Sequence, residues 1–503
     1  MREGPALLTL DLGTSSCKAS LWNASGTLLA SADETYPTHH PRPDWAEQDA
    51  EDWWRAACGA ARRCLALHPG RGGGIVAIGL SSQREGVVPV AHDGRPLGPC
   101  IIWMDRRSRR EMETLVTEFG AARLHDVTGM IPDPTFTATK LLWLKTHAPE
   151  ALAAAFFLQP RDYLYFRLTG AVLTDYTLAS RTMMFDIRAR AWWVPMLDRV
   201  GIRQEQLPPL YASTEAPFRL TPEGAEALGL TPGIPVAVGA GDRPCEAVGA
   251  AVAGRRAMES TGTATNVSMV IRALPAVLEV SPCSIHALPG RWLLEMGIAT
   301  TASVLRWFRD LTGLPPEGLG TLEAEAAQSP PGARGLVALP FFMGARSVRM
   351  NPDARGALVG LSLGHGRGDI ARAIMEGVAF EVGACLGGLR AVGLPAEEVQ
   401  VLGGGAKSDL WCQIKANVLG LPLNRPRHTE AASVGAAILA GAAIGLVEDP
   451  EAAAQDWNPV DVTFTPDPEA HQAYATPARL FEDCYAALTP LFPRLAPGQH
   501  EIP

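Results

Sequence analysis

One short pattern occurs twice in this chain of 503 residues and limits its fold more than any other feature. A buried strand ends in a Gly-Thr turn and a second strand follows, first at Gly13-Thr14 and again at Gly262-Thr263. Glycine at such a bend lets backbone N–H groups face an anion. Strand patterns also alternate with helix-period sequence in both halves, which is typical of an α/β fold. Because a chain this long rarely has one core, we predict an α/β protein with two similar lobes.

Composition excludes several classes of protein. The net charge is -9, whereas a protein that binds nucleic acid regardless of sequence needs a basic face, so we expect no nucleic-acid partner. The longest small-apolar run, residues 434–447, is 14 residues long and is predicted to be a buried helix, because a membrane span needs about 18. Nine cysteines without a CxxC pair indicate a reducing compartment and no metal cage. We therefore expect a cytoplasmic protein without a membrane segment.

The periodicity also predicts individual elements. Apolar runs predict strands over residues 75–83 and 100–104, each next to polar or charged sequence. The pattern over 257–271 predicts a hairpin with Gly262 at its bend. Helical sequence over 473–492 is predicted to close the second lobe.

Two carboxylates stand among small residues, Asp11 in LLTLDLGTSSCK and Asp242 in VAVGAGDRPCEAVG. A carboxylate in such surroundings is costly unless it serves a function, and small neighbours let a ligand come close. Together they predict a site that moves a phosphate, in which Asp11 holds Mg²⁺ through water. Thr14 and Ser15 would add hydroxyl donors, and Lys18 would neutralise phosphate charge. The alternatives are an ordinary hairpin and a solvated surface lysine.

Two further glycine-containing turns are candidate anion sites. Gly262-Thr263 in STGTATN could hold an anion on its backbone and hydroxyl donors. Gly403-Gly404-Gly405 ends a strand and opens a helix, where N–H groups and the helix dipole are free. In each case an ordinary turn is the alternative. The chain contains neither the GxGxxG dinucleotide pattern nor a GxxxxGK[ST] loop.

The order of these motifs resembles a known group of proteins. DxGT, GD, STGT and then GGG before a helix is the order of the actin/hexokinase-type (ribonuclease H-like) fold, in which two lobes hold a nucleotide in the cleft between them. More narrowly, the chain resembles the FGGY family of carbohydrate kinases from Leu7 to about Gly445. The segments that carry this resemblance include LDLGTSSCKASLWNASG, WAEQDAEDWW, CIIWMDRRS, FTATKLLWL, GAGDRPCEAVGA, STGTATNVS and VLGGGAKSDLWCQIKANVLG.

The resemblance implies roles at matching positions. Asp242 matches the general base that takes the proton of the substrate hydroxyl, and Asp11 matches the metal-associated residue. Residues 1–248 correspond to a sugar-binding, catalytic N-terminal lobe, and residues 249–503 to a nucleotide-binding C-terminal lobe. Trp103 resembles a residue that packs on the carbon face of the sugar, although an indole at a strand end is otherwise simply core. The ATP-binding positions implied are Thr14, Ser15, Lys18, Gly262, Thr263, Gly404 and Gly405, with Ser408 nearby.

The substrate segment departs from part of the family. Many xylulokinases have a segment similar to GQMHG at the place where this chain has Gln83-Arg84-Glu85 followed by glycine. An Arg-Glu pair is similar to glycerol kinases, and Arg-Glu-Gly to the autoinducer-2 kinases. Arg84 and Glu85 can bind hydroxyls as donor and acceptor, while a weak surface ion pair is the alternative. Arg243 replaces the usual amide after Asp242; it could suit a carboxylate or phosphate on the substrate, or point away from the pocket.

The resemblance thus implies ATP-dependent phosphorylation of a sugar or polyol hydroxyl, with ATP and Mg²⁺ as cofactors. A ketose such as D-xylulose is the substrate expected first, and glycerol, another polyol or an autoinducer-2-like molecule is the alternative. An ATP-driven switch protein is the alternative of a different class, because the same fold serves chaperones and filament proteins. Family members are often dimers or tetramers, so a homo-oligomer is also implied as an option.

Overall fold

The computed structural model describes residues 4–68, 74–275 and 281–495. Two large mixed sheets organise these residues, and smaller two-stranded pairs surround them. The strands are β1 (Ala6–Leu12), β2 (Ser16–Asn23), β3 (Leu28–Thr35), β4 (Glu47–Gln48), β5 (Ile75–Ser82), β6 (Val88–Val90), β7 (Cys100–Ile101), β8 (Phe156–Leu158), β9 (Thr174–Asp175), β10 (Phe185–Asp186), β11 (Ala191–Trp192), β12 (Leu210–Tyr211), β13 (Phe218–Arg219), β14 (Pro235–Val236), β15 (Ala240–Gly241), β16 (Arg256–Thr261), β17 (Thr265–Ile271), β18 (Cys283–Ile285), β19 (Trp292–Ile298), β20 (Val337–Leu339), β21 (Ala357–Val359), β22 (Glu398–Leu402), β23 (Leu423–Pro426) and β24 (Val460–Phe464).

Helices cover these sheets and join the strands. They are α1 (Ala50–Ala66), α2 (Arg109–Phe119), α3 (Ala121–Thr128), α4 (Thr137–His147), α5 (Pro160–Thr169), α6 (Tyr176–Ala179), α7 (Val194–Val200), α8 (Pro222–Leu228), α9 (Asp242–Gly249), α10 (Ala302–Leu311), α11 (Leu319–Ala326), α12 (Arg367–Ala391), α13 (Asp409–Leu419), α14 (Ala431–Ala443), α15 (Pro450–Trp457), α16 (Pro468–Ala473), α17 (Ala475–Leu488) and α18 (Phe492–Leu495).

The two large sheets share one strand plan. The first has the order β13-β14-β5-β1-β2-β3, with β15 also beside β5, and the second has β18-β19-β17-β16-β22-β23-β24. In each sheet, three neighbouring strands pair in antiparallel fashion, β3-β2-β1 in the first and β19-β17-β16 in the second. The third of these strands then pairs in parallel with a fourth (β5 or β22), and the fourth pairs in parallel with a fifth (β14 or β23). We call the parts of the chain around these sheets the first and the second lobe. The predicted duplication of an α/β lobe is confirmed.

Strand β1 shows why the first sheet is buried. Its sequence ALLTLDL is almost continuously apolar, and every residue except Asp11 is fully inaccessible. A strand covered on both faces needs such a run rather than strict alternation. Helix α1 covers β2 and β3, while α14 packs on β1 and β5. Asp11 is therefore the polar end of a buried strand.

Helices α9 and α14 pack against each other where the two lobes meet. The backbones approach so closely that a Cβ on Gly435 would lie 1.9 Å from the carbonyl oxygen of Cys245. A Cβ on Gly249 would similarly lie 2.1 Å from the carbonyl oxygen of Ala431. Small residues are required on both helices, which explains the small-apolar run in the sequence. That run was predicted as a buried helix, and α14 confirms it.

Other predicted elements have mixed outcomes. The hairpin with Gly262 at its bend forms between β16 and β17, and the C-terminal tail is helical. The strand predicted over 100–104 is shorter and ends at Ile101. The chain turns after that residue, where the backbone N–H of Asp105 donates to the carbonyl oxygen of Ile102. No helix within the described ranges is both long and apolar enough to cross a membrane. The lobe boundary between residues 248 and 249 stays a prediction.

Candidate active site

Three parallel strands of the first sheet end at the same level. Leu12 at the end of β1 pairs with Ser82 at the end of β5, and Ser82 pairs with Gly241 at the end of β15. In α/β sheets, ligands bind outside the carboxyl ends of such strands. The chain segments that follow these strands carry the Gly13-Thr14 turn, which is the first of the two predicted phosphate turns, the Gln83-Arg84-Glu85 segment and Asp242. The structure therefore brings together residues from three distant parts of the sequence.

Asp242 is the first residue of α9 and remains accessible. Its side chain is 34% exposed, and its Oδ1 atom lies 3.0 Å from Nε of Arg84. Oδ1 also accepts a hydrogen bond of 2.7 Å from the backbone N–H of Arg243. Asp242 is thus held by two contacts while part of its side chain stays exposed at this edge of the sheet.

Asp11 lies deeper in the same edge. Its Oδ1 atom is buried and has no hydrogen-bond partner. Burial raises the pKa of Asp11 to about 6 although the neighbouring Ser81 hydroxyl and Lys18 oppose the increase, and the carboxylates of Asp242 and Glu246 add to it. Three acidic groups near one another favour a cation among them.

The Asp11 oxygen gives a test of whether the site fits a magnesium ion. Among the described residues, no group of three His, Cys, Asp or Glu side chains is arranged to hold a metal. Mg²⁺, however, is commonly bound by one or two carboxylates together with phosphate oxygens and water. A buried carboxylate oxygen without a partner is compatible with that kind of site.

The Arg84-Glu85 pair is buried in an ion network instead of lying on the surface. Arg84 donates from Nη1 and Nη2 to the two carboxylate oxygens of Glu295, at 3.0 and 2.9 Å. Glu85 accepts a hydrogen bond of 2.6 Å from Nε of Arg181. Glu85 also has a φ of 64°, which is uncommon for a residue other than glycine. The surface ion-pair alternative for Arg84 and Glu85 is therefore excluded.

Trp103 contacts the Gly13-Thr14 turn directly, and Gln83 is connected to it through Gln48. Gln83 donates to Gln48 at 2.7 Å, and Gln48 donates to the carbonyl oxygen of Thr14 at 2.6 Å. The indole Nε1 of Trp103 donates to Oγ1 of Thr14 at 3.1 Å. Trp103 is only partly buried, so its ring is not simply core. These contacts fix Thr14 from two sides, while Ser15 beside it is exposed.

The two additional cations of the first lobe have partners. Lys18 forms an ion pair with Glu430, which precedes α14 of the second lobe. Arg243 bonds Glu246 at 2.6 Å, one turn further along α9. The Arg243 guanidinium therefore has an acidic partner on its own helix. Lys18 therefore links the two lobes.

The predicted nucleotide turns of the second lobe also lie side by side. Strands β16 and β22 are parallel and end together, so Gly262-Thr263 and the triple-glycine turn meet at one edge. A Cβ on Gly405 would lie 2.5 Å from Cγ2 of Thr261, whereas one on Gly404 would meet nothing within 4 Å. Gly404 therefore presents open backbone at this edge, and Gly405 is packed.

Thr263 and Ser408 have structural partners at this edge. Thr263 accepts a hydrogen bond of 2.9 Å at Oγ1 from Arg306 of α10. Ser408 is the N-cap of α13: its Oγ accepts from the backbone N–H of Trp411 and donates to Glu323. A Ser at the N-cap is the usual device that starts a helix. Ser408 follows the triple-glycine turn in the chain, and its hydroxyl is already engaged by these two partners.

A cavity of about 160 Å³ lies next to the ion network. Residues from both lobes form its wall, which includes Thr135, Phe136, Arg181, Asn266, Glu295 and Arg346. Sequence reasoning missed all of these residues, and it also missed Glu246. For Glu295 a signal existed, since it is one carboxylate within the otherwise apolar strand sequence WLLEMGIAT.

Two domain models of one protein family match most of the sequence. A sequence model described as the N-terminal domain of the FGGY family of carbohydrate kinases matches residues 6–249, and the model of the C-terminal domain matches residues 259–444. The chain belongs to the FGGY family of carbohydrate kinases. This FGGY protein is 34% identical over 490 residues to a xylulose kinase of Escherichia coli (strain K12), covering 96% of this chain and 99% of that one.

Two further relatives extend the comparison. A glycerol kinase of Bordetella parapertussis is 31% identical over 489 residues, with 93% of this FGGY chain and 94% of the relative covered. The crystal structure of a ligand-bound xylulose kinase from Lactobacillus acidophilus has a TM-score of 0.90 and 25% identity, covering 98% of this chain and 100% of that one. The predicted actin/hexokinase-type fold and carbohydrate-kinase class are confirmed.

Proposed function

We propose that this kinase transfers the γ-phosphate of ATP to a hydroxyl group of a ketose, with D-xylulose as the first candidate. The observation that carries the proposal is the accessible Asp242 carboxylate at the end of β15, beside the first phosphate turn and the buried Arg84-Glu85 pair. The relatives from E. coli and L. acidophilus, both named xylulose kinases, support a ketose.

In this proposal, Asp242 accepts the proton as the sugar hydroxyl attacks phosphorus. Phosphoryl transfer depends mostly on positioning and on stabilising charge, so one base beside fixed donors suffices. The backbone donors of Gly13-Thr14 and Gly262-Thr263 would hold the transferring group. The remaining ATP contacts are proposed for Ser15, Lys18, Gly404, Gly405 and Ser408.

Arg84 keeps donors free for a substrate despite its ion pairs. A guanidinium has five N–H groups, of which two go to Glu295 and the Nε group lies beside Asp242. The two that remain can bind sugar hydroxyls, and we propose that Glu85, Gln83, Trp103 and Arg243 border the same substrate.

Asp11 is the residue that would hold Mg²⁺, with phosphate oxygens and water as its further ligands. When bound, the ion would neutralise charge on the phosphates. The buried Oδ1 without a partner supports this role for Asp11.

A polyol such as glycerol is the second candidate. The Arg84-Glu85 pair, which is similar to glycerol kinases, lies buried next to Asp242, and one relative is named a glycerol kinase. An autoinducer-2-like substrate is the other option that the Arg-Glu-Gly segment suggests. We further propose a cytoplasmic protein with a small-molecule partner and no nucleic-acid partner. We also propose that the protein forms a homo-oligomer and that its two lobes divide between residues 248 and 249.

Coupled detection of ADP release tests the proposal. The purified protein with Mg·ATP is offered D-xylulose, other ketopentoses, glycerol, longer polyols and sugar acids in separate reactions. ATP turnover that requires D-xylulose is expected, and turnover with glycerol alone would favour the polyol alternative. Turnover that no sugar or polyol increases would contradict a kinase for small molecules and favour a switch protein.

A further inference from the structure

We infer that Glu295 of the second lobe is a positioning residue for the catalytic site of the first lobe. Its carboxylate holds the Arg84 guanidinium in the orientation that places Nε against Asp242. The inference rests on the proposed function, because Asp242 is its base. It names a residue that acts through Arg84 and has no proposed contact with the sugar.

The contacts form one continuous series of ion pairs in which acidic and basic side chains alternate. Glu85 pairs with Arg181, Arg181 with Glu295, Glu295 with Arg84, and Arg84 with Asp242. Glu295 lies on β19 and is the one residue of this series of ion pairs that belongs to the second lobe. It faces two arginines of the first lobe and accepts from Ser284 at 3.1 Å on its own side. The arrangement of the base therefore depends on a strand of the other lobe.

The geometry of the central pair is restrictive. Both Nη atoms of Arg84 bind the two oxygens of Glu295, and this bidentate arrangement fixes the plane of the guanidinium. The side chains of Arg84 and Glu295 are 7% and 3% exposed, so water cannot replace either partner. With the plane fixed, the direction of Nε is fixed as well, and Nε is the atom that faces Asp242.

The charge state of Glu295 supports this role. Burial alone would raise its pKa, but Arg84 and Arg181 lower the pKa to about 2, so the group is ionised at neutral pH. Without that charge, Arg84 would have Glu85 and Asp242 as its nearby anions. The guanidinium would then be free to rotate and to present its Nη groups, instead of Nε, to Asp242. Glu295 thus keeps the contact of Arg84 with the base in the single orientation that is seen, with Nε 3.0 Å from Oδ1.

Steady-state kinetics of Glu295→Gln tests the inference, with D-xylulose and Mg·ATP as substrates. A base misplaced by a fraction of an ångström costs turnover, so kcat is expected to fall by about 10- to 100-fold while the KM for ATP stays within about threefold. Glu295→Asp keeps the charge and should recover part of kcat. An unchanged kcat in Glu295→Gln would overturn the inference.

Glu376→Gln is the matched control. Glu376 is also a buried carboxylate, 3% exposed, and it pairs with Arg372 at 2.7 Å within the second lobe, away from the site. Its loss should lower the melting temperature and leave kcat near the wild-type value. An equal fall of kcat in both variants would mean that any buried ion pair has this effect, which would overturn the inference.

A double variant covers the case in which Glu295→Gln does not fold. Arg84→Gln together with Glu295→Gln leaves no unpaired buried charge between them. If Glu295 acts through Arg84, the double variant should have the same kcat as Arg84→Gln alone. A further large fall in the double variant would show that Glu295 acts independently of Arg84.

A spectroscopic measurement separates this inference from the proposed function. In protein labelled with ¹⁵N-arginine, the Nε–H signal of Arg84 is assigned by its loss in Arg84→Lys. The signal should persist in wild type and Glu376→Gln and should shift or vanish in Glu295→Gln. An unchanged signal in Glu295→Gln would overturn the inference whatever the activity. Absence of sugar-dependent turnover in wild type would defeat the proposed function alone.

Discussion

The Nε atom of Arg84 lies 3.0 Å from Oδ1 of Asp242, while both Nη atoms of the same arginine bind Glu295. One guanidinium therefore joins the proposed base to the opposite lobe. This relationship changes what removal of Arg84 would measure, because the arginine contributes to stability as well as to a substrate contact.

Arg84→Ala is expected to affect both properties. Removing one partner of a buried ion pair leaves Glu295 with less compensation, so the free energy of unfolding should fall by about 3–5 kcal/mol. The KM for the sugar should rise more than the KM for ATP, since the guanidinium also has free donors beside Asp242. Urea unfolding and steady-state kinetics measure the two effects. Equal changes in the two KM values would place Arg84 outside the sugar pocket.

Asp242→Asn should separate binding from chemistry. The amide keeps the size of the side chain but cannot take a proton, so sugar-dependent turnover should fall by about 10²–10⁴-fold. Binding of Mg·ATP, measured by calorimetry, should be nearly unchanged because the phosphate turns are intact. A variant with nearly normal kcat would contradict the assignment of Asp242 as the base.

Asp11→Asn should stabilise the metal-free protein in a pH-dependent way. The pKa of Asp11 is about 6 in the folded state against 3.8 as its ordinary value, so folding disfavours the ionised form. The cost to stability is absent below pH 3.8, grows as the pH rises, and is complete above pH 6. Asn carries no such charge, so thermal unfolding should show a gain of about 3 kcal/mol at pH 7.5 and little gain at pH 4.

The same variant tests the metal role of Asp11. Magnesium should raise the melting temperature of the wild type more than that of Asp11→Asn, because a ligand that binds the folded state stabilises it. The Mg²⁺ concentration for half-maximal turnover should increase in the variant. Unchanged magnesium dependence would count against Asp11 as the metal-associated residue.

The local parts of the site were predictable from the sequence, and the reason is physical. A buried strand that ends in a glycine turn specifies its own backbone, so the two Gly-Thr turns and the triple-glycine turn follow from short segments. Parallel pairing then brings the ends of β1, β5 and β15 together, which placed Asp11 and Asp242 at one edge. The motifs predicted this edge without knowledge of any side-chain contact.

The ion partners could not be predicted in the same way. Arg84 and Glu295 are 211 positions apart, and Lys18 and Glu430 are 412 apart, so only the packing of the lobes selects these pairs. The direction of Arg243 was readable in principle, because Glu246 lies three residues further on the same helix. The cavity wall was also unpredictable, since it joins residues from both lobes that are far apart in the sequence.

Trp103→Phe tests the link between the proposed sugar and phosphate sites. Phenylalanine keeps an aromatic face for the sugar but removes the Nε1 hydrogen bond to Oγ1 of Thr14. Loss of one such bond costs about 1 kcal/mol, so the KM for ATP should rise by about fivefold. Thr14→Val removes the same bond together with the hydroxyl predicted to contact phosphate, so its KM for ATP should rise at least as much, and adding Trp103→Phe to it should cause no further rise. An ATP KM that Trp103→Phe leaves unchanged would show that the bond has no role in nucleotide binding.

Adjacent glycines allow a sharper test of the nucleotide site. A methyl group on Gly405 would lie 2.5 Å from Cγ2 of Thr261, so Gly405→Ala should lower the melting temperature, and Thr261→Ser should restore part of it because Cγ2 is then gone. A methyl group on Gly404 would meet nothing within 4 Å, so Gly404→Ala should leave the melting temperature unchanged. If adenosine packs against Gly404, the same methyl group should nevertheless raise the KM for ATP by about tenfold, the equivalent of about 1.4 kcal/mol. Because the protein alone has no clash at that position, such an increase with normal stability can arise only from the bound nucleotide. A normal ATP KM in Gly404→Ala would place the adenosine elsewhere in the second lobe.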